Sequence, residues 1–61
     1  MTEREAIAKL ARAIGALYDF SALYFKRAGD AFSDEISQAC SRECDEIADE
    51  FSKPPEREAN G

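Results

Sequence analysis

The chemistry-bearing side chains that stand out in this sequence are carboxylates in its second half. Five acidic residues fall within eight positions, at Glu43, Asp45, Glu46, Asp49 and Glu50. Carboxylates catalyse acid–base steps at a site that a fold can enclose, and a helix surface in a chain of 61 residues offers no such enclosure. We therefore interpret the run as a surface that binds a basic partner.

The two cysteines lie four residues apart, at Cys40 and Cys44, and the chain has no histidine. A CxxC redox pair and the usual zinc patterns have other spacings, and a disulfide one helical turn long fits helix geometry poorly. Four thiolates from two copies of the chain are an alternative, as a zinc site. We predict instead that both cysteines are small buried apolar side chains, with no metal and no cofactor.

Enzyme activity is not expected from this composition. Without histidine a nucleophile would need another base, and no glycine-rich phosphate loop is present. Aromatic and basic side chains in the first half offer a different use, because aromatic rings beside cations can stack nucleobases. The residues concerned are Tyr18, Phe20, Tyr24 and Phe25, with Arg12, Lys26 and Arg27. Aromatics at helical spacing more often form a core, so both readings stay open.

The first half is predicted to form a helix from about Glu3 to about Ala28. Thr2 with Glu5 three residues later is a capping box, and Gly29 suits a left-handed helix end. Gly15 is the weak position inside this helix, because glycine costs about 1 kcal/mol there relative to alanine. It marks either a kink or a place where another backbone approaches closely.

A second helix is predicted from about Asp34 to about Ser52. Ser33 or Asp30 can cap its start, and Pro54 after Lys53 ends it because proline cannot continue the hydrogen-bond ladder. The polar residues 54–61 are predicted to be a disordered tail. The short connection favours an all-α fold, an antiparallel two-helix hairpin in a single domain spanning residues 1–53.

The apolar residues predict that one hairpin cannot cover its own surface. At about 100° per residue, helix 1 carries a broad apolar stripe of Ile7, Leu10, Ile14, Leu17, Ser21, Tyr24 and Ala28. The stripe on helix 2 is narrower and consists of Phe32, Ile36, Cys40, Cys44, Ile47 and Phe51. The mismatch predicts a homodimer, as a four-helix bundle, or a partner docked on the aromatic half of helix 1. That surface comprises Leu17, Tyr18, Phe20, Leu23, Tyr24 and Phe25.

Charge is divided between the helices. Residues 2–28 hold five basic and three acidic side chains, whereas residues 34–52 hold seven acidic and one basic, and the whole chain has a net charge of −5. One reading is ordinary pairing of Asp45, Asp49 and Glu50 with Arg4, Lys9 and Arg12, which contributes ~0–1 kcal/mol for each exposed pair. The other reading is that the acidic side chains form a face that is attracted electrostatically to a basic groove on a partner protein.

Two short segments resemble the Rop family of dimeric plasmid copy-control proteins, which bind paired RNA loops. They are Met1-Thr2 with Leu10-Ala11-Arg12-Ala13-Ile14, and Ala48-Asp49-Glu50-Phe51. The resemblance implies a hairpin dimer. Where that family carries an aromatic and amides for RNA, this chain has Lys9, Ala13 and Leu17, so an RNA-binding variant of this plan would use Lys9, Arg12, Lys26 and Arg27.

A second resemblance is one of type. A tiny, acidic, alanine-rich helical chain without catalytic residues is similar to phage-encoded inhibitors such as anti-CRISPR proteins, several of which block a nucleic-acid-binding surface with an acidic face. That resemblance implies an inhibitor that places its acidic face against the basic, nucleic-acid-binding surface of a partner protein. An RNA-binding dimer and a structural assembly subunit are the alternatives. The negative charge disfavours direct binding to nucleic acid or acidic membranes, and without a signal peptide or membrane span we expect a cytoplasmic protein.

Overall fold

The computed structural model describes residues 1–53 and confirms the all-α hairpin. Helix α1 spans Glu3–Ala28 and helix α2 spans Ala31–Ser52. The start of α1 lies beside the end of α2, where the Arg4 guanidinium donates to the backbone carbonyl oxygens of Glu50 and Lys53, at 3.1 and 3.4 Å. The helices are therefore antiparallel. The predicted disordered tail, residues 54–61, lies outside the described residues.

Both ends of α1 are formed by local hydrogen bonds. The Thr2 hydroxyl oxygen accepts from the Glu5 N–H at 3.1 Å. The Glu5 carboxylate accepts from the Thr2 hydroxyl, not from the Thr2 N–H, so the predicted capping box forms only in part. At the other end Gly29 has φ 76°, and the N–H groups of Gly29 and Asp30 donate to the carbonyls of Lys26 and Phe25. These two bonds satisfy carbonyls that the helix end leaves free.

Helix α2 begins three residues earlier than the sequence predicted, at Ala31 rather than Asp34. Asp30, not Ser33, is the capping residue. Its Oδ1 accepts from the Ser33 N–H at 3.0 Å, and its Oδ2 accepts from the Ser33 hydroxyl at 2.7 Å. The hairpin turn therefore contains only Gly29 and Asp30, one of which ends α1 while the other starts α2.

The Asp30 cap is expected to make helicity depend on pH. The hydrogen bonds from the Ser33 backbone and hydroxyl hold the pKa of Asp30 below its ordinary value. A lowered pKa in the folded state stabilises the fold above the ordinary pKa, and that contribution is lost as pH falls through the lowered value. Circular dichroism melting should show Asp30→Ala less stable than wild type at neutral pH and equal to it in strong acid. A difference that persists unchanged in strong acid would contradict this role.

The seam between the helices consists of small side chains, which corrects the predicted packing. Spacings of three, four and seven residues connect the buried positions, which are Ala8, Ala11, Gly15 and Ala22 on α1 and Ser37, Ser41 and Ala48 on α2. The large apolar stripe of α1 does not face α2: Leu10 is 62% exposed and Leu17 is 68% exposed. The side chains between two packed helices set the distance between their axes, so small side chains in the seam allow α1 and α2 to pack closely.

Gly15 is buried in the seam, and α1 continues through it without interruption. A Cβ atom built on Gly15 would lie 3.2 Å from the Cβ of Cys44 and 3.8 Å from the Ser41 carbonyl oxygen. Of the two predicted roles for this glycine, close approach is therefore the correct one. Nearby, the Ser41 hydroxyl donates to the Asp19 carboxylate, which ties the centre of α2 to α1.

Candidate functional site

Four of the five carboxylates proposed for partner binding lie on the side of α2 away from the seam, and Asp45 lies beside the seam, with its Oδ1 3.6 Å from a Cβ atom built on Gly15. All five side chains are exposed. At 100° per residue they cover roughly 160° of the helix circumference. Glu46 points away from α1, Glu43 and Glu50 lie to one side of it, and Asp49 and Asp45 lie to the other. We call the surface formed by Glu43, Asp45, Glu46, Asp49 and Glu50 the acidic edge.

The predicted ion pairs between α1 and the acidic edge do not form among residues 1–53. The ion pair found there joins Lys53 Nζ to Asp49 Oδ2 at 3.1 Å, and both side chains are exposed. Arg4 instead donates to backbone carbonyls, and its guanidinium lies 4.9 Å from the centre of the Phe51 ring. Arg12 donates to the Ser52 hydroxyl at 2.6 Å. The arginines thus bind the end of α2 without neutralising its carboxylates.

This distribution follows from the electrostatics of a helix end. The last carbonyls of α2 have no partner within the helix and carry partial negative charge. Arg4 satisfies two of them, which stabilises the hairpin. The carboxylates of Asp45, Glu46, Asp49 and Glu50 occupy the same last turns, where the helix dipole disfavours negative charge. Their position therefore lowers the stability of the isolated hairpin slightly. Stability of the hairpin does not explain why carboxylates lie there.

The cysteines are half-buried rather than fully buried, and both thiols are free. Burial, with the nearby Cys40, Asp45 and Glu43, raises the pKa of Cys44 above its ordinary value. The Cys40 sulfur likewise raises the pKa of the Tyr18 hydroxyl, because negative charge there disfavours ionisation. A protonated thiol is a weak nucleophile and a weak metal ligand. In residues 1–53 no three cysteine or acidic side chains cluster in a way that could hold a metal ion.

The predicted aromatic surface of α1 divides into two places. Tyr18 lies at the margin of the seam beside Cys40, and Phe25 is half-buried with its ring 5.5 Å from that of Tyr24. Phe20, Leu23 and Tyr24 line a shallow groove with Arg27, and Leu23 also lines a groove with Asp34 and Gln38 of α2. Leu17 lies about 20° from Tyr24 around α1 and continues this outer surface towards Leu10. The six residues therefore do not form one surface.

The basic residues considered for RNA are also dispersed. Lys9 and Lys26 are separated by about 25 Å along α1, at 1.5 Å per residue. Arg12 turns towards Ser52 at one end of the hairpin, while Lys26 and Arg27 lie at the other end. The structure thus separates the four into two small groups at opposite ends of α1.

A further set of exposed apolar residues lies on the two predicted apolar stripes but was not among the predicted binding residues. Ile7, Leu10 and Ile14 on α1, with Ile36 and Ile47 on α2, are all exposed. The signal that could have found them is the second stripe on each helix, the small residues at heptad-like spacing. Once those residues form the seam, the large stripe must face elsewhere.

Within the described residues, neither helix combines the length and apolar character needed to cross a membrane. The candidate surfaces are the acidic edge on α2 and the exposed apolar residues of both helices. Comparison of the chain with protein-family models, with curated proteins and with solved structures gave no match.

Proposed function

We propose that this chain is a non-enzymatic interaction protein whose acidic edge occupies the basic, nucleic-acid-binding surface of another protein and inhibits it. The observation that carries the proposal is the set of exposed carboxylates on α2. Within residues 1–53, Asp49 has a cationic partner and the other four members of the acidic edge have none. Surface charge that the fold leaves unpaired is available for a partner.

The density of this charge supports a nucleic-acid-like ligand. Residues 43–50 span about 10 Å of helix axis at 1.5 Å per residue. Five carboxylates over that length give one negative charge per ~2 Å, close to the ~1.7 Å for double-stranded DNA. A site built to attract phosphates would therefore attract the acidic edge, with fast and salt-sensitive association.

Reversal of charge at the centre of the acidic edge tests the proposal. The full chain is immobilised and used to capture proteins from a nuclease-treated lysate of its native host. Glu46→Lys with Asp49→Lys should lower the recovery of the bound protein by at least ~10-fold, because interfacial charge pairs are lost and replaced by repulsion. Quantitative mass spectrometry of the eluate measures this effect.

The matched control is Glu3→Lys with Glu35→Lys, which changes the net charge equally at exposed positions outside the acidic edge. The control should retain most of the binding, and circular dichroism should show equal helicity for both variants. Equal binding by wild type and the Glu46/Asp49 variant would overturn the proposal. RNA recovered from an untreated lysate, lost on neutralising Lys9, Arg12, Lys26 and Arg27, would favour the RNA-binding dimer instead.

A further inference from the structure

We propose that a second copy of this chain covers one apolar face of the hairpin, so that the functional unit is a four-helix dimer. We call this surface the apolar face. It consists of Ile7, Leu10, Ile14, Leu17 and Tyr24 on α1, with Ile36 and Ile47 on α2. The inference concerns a surface separate from the acidic edge and does not rest on the proposed function.

The hairpin alone buries almost none of its large apolar side chains. In residues 1–53 no large side chain is fully buried, and every member of the apolar face is exposed. Burying one large apolar side chain contributes about 1.5–3 kcal/mol, and a chain near 60 residues is marginally stable even with an ordinary core. Because the seam offers only alanine, glycine and serine, the missing burial must come from outside the hairpin.

The members of the apolar face are displaced from the seam in one direction around each helix. At 100° per residue, Ile7 and Ile14 lie about 70–90° from the centre of the α1 seam, and Leu10, Leu17 and Tyr24 lie about 130–170° from it. On α2, Ile36 and Ile47 lie about 100–120° from the seam in the same sense. Since the helices are antiparallel, displacement in the same sense places Ile7, Ile14, Ile36 and Ile47 above one face of the hairpin, and Leu10, Leu17 and Tyr24 extend that surface around the outer side of α1. The opposite face carries polar residues such as Arg12, Asp19 and Gln38.

The spacing on α1 suits packing against further helices. Ile7, Leu10, Ile14, Leu17, Ser21 and Tyr24 follow one another at intervals of three and four residues. That repeat lets side chains of one helix insert between those of another, as in four-helix bundles. Each helix therefore has two such stripes: a small one for its own hairpin, and a larger apolar one beside it.

The area of the apolar face matches what a dimer needs. The exposed fractions of its seven members together equal about three and a half whole side chains. At ~150 Å² for a large side chain, the face offers roughly 550 Å² on each copy. The total of roughly 1,100 Å² exceeds the ~1,000 Å² expected of a specific protein interface.

Other occupants fit this face less well. Residues 54–61 contain no large apolar side chain with which to cover this face. The members of the apolar face carry no charge, so the face offers no cation that could bind the phosphates of a nucleic acid. The net charge of −5 disfavours binding to an anionic membrane. A second copy is always present at the same concentration and offers the same face, as a two-fold interface requires.

Sedimentation equilibrium of the full chain tests the proposal. Wild type should show twice the mass of the chain at micromolar concentrations and above, and Leu10→Asp with Leu17→Asp should show the mass of one chain. The matched control is Phe20→Asp with Leu23→Asp, which replaces equally exposed apolar side chains outside the face. The control should remain a dimer.

Two outcomes would overturn the proposal. One is wild type that sediments as a single chain throughout the concentration range, a result that does not depend on any variant folding. The other is a dimer that survives the Leu10/Leu17 change but is lost in the Phe20/Leu23 control, which would place the interface on the side of α1 that carries Phe20 and Leu23. Because Glu46 and Asp49 lie outside the apolar face, their reversal should leave the dimer mass unchanged, so this proposal and the proposed function can fail separately.

Discussion

Gly15→Leu is expected to be the most damaging single substitution in the hairpin, lowering its free energy of unfolding by about 3 kcal/mol or more. Even a Cβ at this position would lie 3.2 Å from the Cβ of Cys44, and Asp45 Oδ1 and the Ser41 carbonyl are the next atoms met. A leucine has no space there unless the helices separate. Separation would open the contacts of Ala11 and Ala48 along the same seam. Urea unfolding followed by circular dichroism measures the loss.

The control for that prediction is Ala13→Leu, two residues away on an exposed surface of α1. A surface change of this kind shifts stability by about 0.5 kcal/mol or less. Gly15→Ala is informative as well, because alanine gains about 1 kcal/mol of helix propensity but must displace Cys44 slightly. Combining it with Cys44→Gly, which removes the contacting Cβ, should recover that gain relative to Cys44→Gly alone. Wild-type stability of Gly15→Leu would show that the helices do not approach closely here.

The second large effect concerns the concentration dependence of unfolding. If the apolar face is covered by a second copy, folding and association are one equilibrium, and dilution favours the unfolded chain. The Tm should therefore rise by roughly 5 °C for each tenfold increase in protein concentration. Calorimetry or circular dichroism over a dilution series measures it.

Two double variants, measured in the same dilution series, test whether this dependence comes from the apolar face. The Leu10→Asp, Leu17→Asp variant should have a much lower Tm that does not change with concentration, because it cannot associate. The Phe20→Asp, Leu23→Asp variant should keep the wild-type dependence. A wild-type Tm that is high and constant over the dilution series would mean that the small-residue seam suffices for stability, contrary to the account given above.

Local signals in the sequence predicted the helices well. Thr2 and Gly29 act within a few residues of their own positions, so their types alone indicate where α1 begins and ends. Helix α2 was misjudged by three residues because Asp30 and Ser33 are both acceptable caps, and only the tight turn after Gly29 selects Asp30. Gly15 could be marked as unusual, but a kink and a close approach give the same sequence signal.

The packing could not be predicted, for a physical reason. Hydrophobicity indicates which side chains tend to be buried, but it does not indicate which part of the protein, or which other chain, buries them. The apolar stripe that contains Ile14 and Leu17 was predicted to be too broad for helix 2 to cover, but its position did not indicate that Ala11 and Gly15 form the seam. The carboxylates of the acidic edge were placed on the surface correctly, because charged side chains are rarely buried without a partner. They do not pair with Arg4 and Arg12, because Arg4 donates to backbone carbonyls at the end of α2 and Arg12 donates to the Ser52 hydroxyl. The sequence does not indicate these hydrogen bonds.

Two binding surfaces can coexist on so small a chain because they use different sides of the helices. The seam uses one stripe of each helix, the apolar face uses the adjacent stripe, and the acidic edge uses the outward side of α2. A dimer formed through the apolar face would present two acidic edges. Binding to a basic partner would then proceed without disturbing the interface between copies.

Competition between this protein and nucleic acid for the captured partner tests the central claim most directly. The partner is purified, bound to a fluorescent nucleic acid that it recognises, and titrated with the hairpin while fluorescence anisotropy is recorded. Displacement of the nucleic acid is predicted, with the Glu46→Lys, Asp49→Lys variant at least ~10-fold weaker than wild type. A complex in which the partner holds the hairpin and the nucleic acid together, with unchanged affinity for each, would contradict the claim.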